Sequence, residues 1–246
     1  MQIQSANQSG DDSVTLGRFE AKFELSGVDV QKLVQILSMN CVPVVHTNTV
    51  SKVSSVYFDD DLFTSCRENI DGIGVRKKLR LRWYDSVQPE GFATFEVKSR
   101  ENHFIRKERY PIRIPRELDE MPHDALVNCL MEQLPRTVGL LLYQRGLPAV
   151  LVRYRRRHFR SRTSPVQCRV TLDEQIECLS QRNSTHLVID DSPSLKLGRQ
   201  VVLEAKVPIG FESEIPLILY PLRLRQSKFS KYVKCCATAG LHPLAN

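Results

Sequence analysis

Segment after segment of this chain alternates charged with apolar residues at a spacing of two. A β-sheet with one charged and one apolar face accommodates that pattern, because successive strand residues point to opposite faces. VRKKLRLRWY carries Arg76, Lys78, Arg80 and Arg82, with Leu79 and Leu81 between them. GRFEAKFEL carries Arg18, Glu20 and Lys22, and ATFEVKSR carries Thr94, Glu96, Lys98 and Arg100. The alternation returns as Arg153, Arg155 and Arg157 in VRYRRRH, as Arg169, Thr171 and Asp173 in CRVTLD, and as Glu204 and Lys206 in VVLEAKVP.

Cations at two-residue spacing stand about 7 Å apart on one face. Each neighbouring pair repels by roughly 0.5–2 kcal/mol at intermediate dielectric. An anion between them removes that cost, and guanidinium forks match phosphate oxygens. An exposed strand that uses charge to block edge pairing explains one such segment equally well. The repeated Glu-x-Lys pairs, Glu20/Lys22, Glu96/Lys98 and Glu204/Lys206, shift the balance. A salt bridge accounts for any one pair. Three of them on separate strands fit a charged lumen holding a polyanion together with Mg²⁺ or Mn²⁺, whose hard-cation chemistry suits carboxylate and phosphate oxygens.

With 246 residues, 41% of them hydrophobic, the chain is long and apolar enough for one domain with a real core. Its net charge of +7 favours an anionic partner. The cysteines at 41, 66, 129, 168, 178, 235 and 236 contain no C-x-x-C and are odd in number, which fits reduced thiols in a cytoplasmic protein. No His or Cys spacing suits zinc, and no Gly-rich phosphate loop occurs. The N-terminus lacks an apolar signal region, and LPAVLV and IPLILYPL are too short to span a bilayer. Trp83 lies on the face opposite Arg80 and Arg82, which leaves little for nucleic-acid stacking.

Residues 1–15 read as a flexible tail and 16–240 as a single α+β domain dominated by antiparallel strands. Strands are expected near 17–25, 51–60, 74–84, 91–100, 103–114, 149–159, 166–174, 185–190 and 200–208. Helices are expected near 29–39, capped by Asp29, through 61–69, and across 122–145 with a break at Pro135. A closing helix is read over RQSKFSKYVKCCATAG, with Lys228, Lys231 and Lys234 on one stripe and Gly240 as its stop. Asp59, Asp60 and Asp61 read as a capped turn.

In order, R-x-E-x-K, SSVYFDD, K-x-R-x-R-x-Y, F-E-x-K, the Y-x-R strand, R-x-T-x-D, L-E-x-K and SKFSKY resemble the VTC domain over about residues 16–238. This is the catalytic domain of vacuolar transporter chaperone polyphosphate polymerases and their bacterial relatives, within the triphosphate tunnel metalloenzymes. The resemblance implies an antiparallel β-barrel tunnel with flanking helices, and transfer of the terminal phosphate of ATP to polyphosphate with Mn²⁺ or Mg²⁺. It implies tunnel phosphate contacts from Lys22, Arg80, Arg82, Lys98, Arg155 and Arg169, and product-exit lysines at Lys228 and Lys231. Lys78, Arg153 and Lys206 join them as substrate-binding candidates. Glu204 matches the metal-ligating glutamate, with Glu20 and Glu96 as further candidates. Arg18, where the related CYTH phosphatases carry Glu, favours the VTC branch. The resemblance further implies a stand-alone bacterial, cytoplasmic form with a possible membrane-protein partner. A tripolyphosphatase or nucleoside triphosphatase and a non-catalytic polyphosphate binder are the alternatives.

Overall fold

The computed structural model describes residues 18–102, 104–189 and 194–241. The chain runs β1 (Arg18–Ser26), α1 (Val30–Asn40), β2 (Cys41–Pro43), β3 (Ser51–Asp59), α2 (Thr64–Ile70), β4 (Val75–Tyr84), β5 (Phe92–Glu101) and β6 (Phe104–Arg113). It continues through α3 (His123–Gln133), α4 (Arg136–Gln144), β7 (Leu147–Ser161), β8 (Arg169–Ser180), β9 (Leu195–Lys196), β10 (Gln200–Pro208), α5 (Glu214–Ile218) and α6 (Lys231–Thr238). Eight strands form one antiparallel path in the order β1-β10-β8-β7-β3-β4-β5-β6, with β2 and β9 attached at the side. The sheet curls into a half-barrel. Its ends approach across the interior, where Lys98 of β5 lies 3.6 Å from Glu20 of β1.

The alternation places the apolar residues outside. On one flank Leu79, Leu81, Trp83, Phe95 and Val97 pack against Leu126, Leu130 and Leu142 of the α3–α4 pair. On the other, Ala21, Phe23, Val170, Leu172, Leu203 and Ala205 pack against Leu33 and Leu37 of α1 and Ile215 and Ile218 of α5. Asp29 caps α1 by accepting from the amides of Gln31 and Lys32. Pro135, which has no N–H to donate, stands where α4 begins.

Inside, one end of the curl is apolar. Val53, Tyr57, Val150, Val152, Ile176 and Val202 pack there against Phe229, Tyr232, Cys235 and Cys236. The expected closing helix is shorter than the sequence suggests. Residues 226–230 are not helical, and Ser227 N–H donates to the Lys22 carbonyl at 2.8 Å on the free edge of β1. Ser230 then caps α6 by accepting from Val233 N–H. Lys228 therefore precedes the helix and shares no helical stripe with Lys231.

Two further expectations change. Residues 185–189 form only an isolated bridge, Pro122 to His186, although Leu187 and Ile189 alternate into the outer core. The thiols are not all free: Cys178 of β8 is joined to Cys235 of α6. Those positions lie far apart in sequence, and only the seating of α6 inside the curl brings them together. The tail at 1–15 falls outside the described residues. Among the described residues, no helix is long and apolar enough to cross a membrane.

Candidate active site

The inner face is built from the ladder itself. Register pairs Lys22 with Glu204 and Glu20 with Lys206 between β1 and β10. Arg80 pairs with Glu96 and Lys78 with Lys98 between β4 and β5. These residues share the interior because the intervening leucines and valines claim the outer core.

Two clusters of opposite character result. In the first, Glu20 and Glu204 share two lysines. Lys22 Nζ lies 2.9 Å from Glu20 and 3.9 Å from Glu204, and Lys206 Nζ lies 3.7 Å and 2.5 Å from the same two residues. Burial and Glu204 both oppose ionisation of Glu20, yet Lys22, Lys98 and Lys206 outweigh them and hold its pKa down to about 2. In the second cluster Glu96 is surrounded by cations. Arg80 pairs with it, Lys107 Nζ lies at 2.6 Å, Arg109 at 3.6 Å and Arg82 at 3.7 Å.

Arg82 is fixed further by donating to Ser55 Oγ at 3.0 Å and to Tyr154 Oη at 3.2 Å. Arg80 donates to Tyr57 Oη at 2.9 Å. Beyond these pairs the interior keeps cations in excess. Burial first, and then Lys22, Lys98 and Arg76, push the Lys78 amine well below its ordinary pKa. Burial likewise lowers Lys98, against the pull of Glu20.

A third constellation ties α6 to the sheet. Asp173, fully buried, accepts from Arg156 at 2.6 and 2.7 Å and pairs with Lys231 at 2.5 Å. Burial opposes its charge, but Arg156 and Lys231 keep its pKa at about 2. Asp59 is a structural acceptor, as a capped turn requires. It takes the N–H groups of Ser65 and Cys66 at the start of α2 and the Tyr232 hydroxyl at 2.5 Å.

Of the residues singled out in the sequence, Lys22, Arg80, Arg82, Lys98, Lys78, Lys206, Lys231, Glu20, Glu96 and Glu204 are brought onto the inner face. Arg169 pairs with Lys206 in register and stays exposed at the rim, near Arg18 and Arg109. Arg153 and Arg155 are corrections. They share the parity of Leu151, which packs in the outer core, so both lie on the outer face. Tyr154 and Arg156 take the inner positions, and the Y-x-R spacing Tyr154–Arg156 already carried that signal. Lys228 is exposed on the non-helical segment before α6. Lys107 and Arg109 on β6 are inner residues that the sequence reading missed. Their strand is charged on both faces, and only pairing with Lys98 and Glu96 identifies the inner one.

Glu96, the third metal candidate, has four cations about its carboxylate and serves them as a shared counter-charge. Among the described residues no three His, Cys, Asp or Glu gather to hold an ion. The Glu20–Glu204 pair does fit a hard divalent cation that arrives with phosphate. Such an ion uses one or two carboxylates and fills its shell with water and phosphate oxygens.

The depressed carboxylates make a pH prediction. Glu96 and Asp173 sit at about 2 in the folded protein, against about 4 unfolded. Their contribution is complete above the unfolded values and is lost as pH falls from about 4 towards 2. Each is worth on the order of 2 kcal/mol. Urea midpoints should therefore drop steeply across that window, and Asp173→Asn should flatten the drop. A level profile there would count against both assignments.

The family model for the VTC domain matches residues 17–239. No curated protein matches the chain. Among solved structures, "Structure of PH1819 protein from Pyrococcus Horikoshii OT3" is similar at 12% identity and a TM-score of 0.42. That likeness covers 87% of this chain and 96% of that one.

Proposed function

The chain belongs to the VTC domain family, and from that premise we propose that it is a polyphosphate polymerase, passing the terminal phosphoryl group of ATP to a growing polyphosphate chain. Membership ties it to polyphosphate-related chemistry of the tunnel type. The finer reading is carried by one observation: an interior in which cations crowd without enough carboxylates to neutralise them. Lys22, Lys98 and Lys206 form one bank, and Arg80, Arg82, Lys107 and Arg109 the other. A linear polyanion lying between these banks relieves both.

In this reading the side chains act by position and charge, as is usual for phosphoryl transfer. Arg80 and Arg82, braced by Tyr57, Ser55 and Tyr154, grip the triphosphate. Lys22 and Lys206 orient Glu20 and Glu204, which would hold Mn²⁺ or Mg²⁺. A bound ion there supplies charge neutralisation to the phosphate oxygens. The separating experiment is incubation with ATP and Mn²⁺ followed by sizing of the product. Long chains support the polymerase, whereas free phosphate alone makes the protein a hydrolase of the same architecture. Glu204→Gln should cut metal-dependent turnover by about a hundredfold or more. Near-normal turnover of that variant at low Mn²⁺ would remove Glu204 from the site.

Lys107 gives a second test. Burial, then Arg80, lower its pKa to about 7 despite the pull of Glu96. A bound triphosphate adds negative charge and raises that pKa, so binding near neutral pH should take up a fraction of a proton. Calorimetry with tripolyphosphate in buffers of different ionisation enthalpy reads this directly. Lys107→Arg should reduce the uptake, and proton release on binding would contradict the model.

A further inference from the structure

Polymer synthesis needs a first acceptor, and the interior holds a side chain placed to be one. Lys78 Nζ lies 2.9 Å from Ser230 Oγ. Ser230 Oγ also accepts the Val233 N–H at 3.4 Å. Neighbouring groups keep the hydroxyl beside the phosphate path. The carbonyl of Phe229 accepts from Lys22 Nζ at 3.3 Å, and Lys231 is held by Asp173. Ser230 itself is half-buried, so it is not sealed from the groove.

We propose that Ser230 is a phosphoryl acceptor in its own right, the group on which phosphate is first placed when no phosphate acceptor is bound. Oγ attacks the terminal phosphorus of ATP, and the bond from that phosphorus to the bridging oxygen of the diphosphate breaks. The hydroxyl proton passes to Lys78 Nζ, and phosphoserine and ADP are the products. This rests on the polymerase reading, because it draws on the same bound triphosphate.

Three features suit the step. A hydroxyl has one proton and two lone pairs. Capping α6 uses a lone pair and leaves the proton free to point at the amine. Secondly, the ion pairs among the described residues include none at Lys78; the cations Lys22, Lys98 and Arg76 surround it, with the Cys66 thiol pulling the other way. That surrounding, together with burial, favours the neutral amine that can receive a proton. Thirdly, the Val233 N–H contact holds Oγ in a fixed position at the start of α6. A capping role alone requires the amide contact and leaves the lysine unexplained.

The test uses the full chain with terminally radiolabelled ATP and Mn²⁺, without added polyphosphate. An acid-stable, alkali-labile label should map to the peptide containing Ser230. Ser230→Asn keeps a good helix cap and should carry no label. Lys78→Met should slow labelling by about a hundredfold, the scale of a lost general base. Wild-type protein that releases ADP and lengthens added oligophosphate but takes up no covalent label overturns the proposal and leaves the polymerase standing. Failure to turn over ATP at all removes both. Label persisting in folded Ser230→Asn also overturns the assignment.

Discussion

Glu96→Gln should lose several kcal/mol of stability without ligand and recover much of it when polyanion is added. The carboxylate is 3% exposed and is the shared counter-charge of Arg80, Arg82, Lys107 and Arg109. Glutamine keeps the volume and a carbonyl acceptor, so charge is the main thing removed. Breaking a buried pair in this way costs about 3–5 kcal/mol, because the partners are left uncompensated. Lys107 limits the damage by giving up its proton, which its lowered pKa makes easy. Arg82, 5% exposed, has no such route. Tripolyphosphate supplies the missing charge, so its stabilising effect should be larger in the variant than in the wild type. Paired thermal melts with and without tripolyphosphate measure this. An unligated variant that melts with the wild type would mean Glu96 is not the counter-charge, and the two-bank picture of the interior would fail.

The layering of the sheet was legible from the sequence because strand parity is a local property. Leu79 and Leu81 against Arg80 and Arg82 need no tertiary information to be sorted onto two faces. The same logic placed Lys22, Glu204 and Lys206. It failed where parity had no apolar anchor. Arg155, Arg156 and Arg157 are consecutive, so charge alone does not say which faces inward. The alternation of Leu151 and Arg153 with Val152 and Tyr154 decides for Arg156. The β8 strand adds an irregularity at Gln175, whose φ of 52° belongs to the left-handed region, opposite the register shift between Arg153 and Arg155. That shift puts Asp173 in register with Arg156. Lys107 and Arg109 were hidden because β6 carries Arg106 and Glu108 on its other face. The start of α6 was misplaced for a different reason. Helical periodicity cannot register that Ser227 spends its N–H on the edge of β1, nor that Ser230 turns its hydroxyl back to cap the helix. The Cys178–Cys235 link depends on that same docking.

Leu79→Asp should prevent recovery of folded protein or lower its melting temperature sharply, although its neighbours on the strand are Lys78 and Arg80. Leu79 is 1% exposed in the outer core with Phe58, Phe95, Leu126 and Leu130. A carboxyl group buried there without partners costs several kcal/mol, even if it protonates. The lost packing of the leucine adds about 2–5 kcal/mol more. For a chain of this size each kcal/mol corresponds to roughly 2–4 °C. Lys78→Met, one residue away, should do little to stability. It gives up one contact to Ser230, worth about 1 kcal/mol, and removes an amine whose burial among Lys22, Lys98 and Arg76 is itself unfavourable. Adjacent residues thus have opposite consequences: the outer face carries the stability of the sheet and the inner face carries its affinity for anions. Melts of the two variants beside the wild type decide the matter. A Leu79→Asp protein as stable as Lys78→Met would place the leucine face in solvent, and the inside-out layering would have to be abandoned.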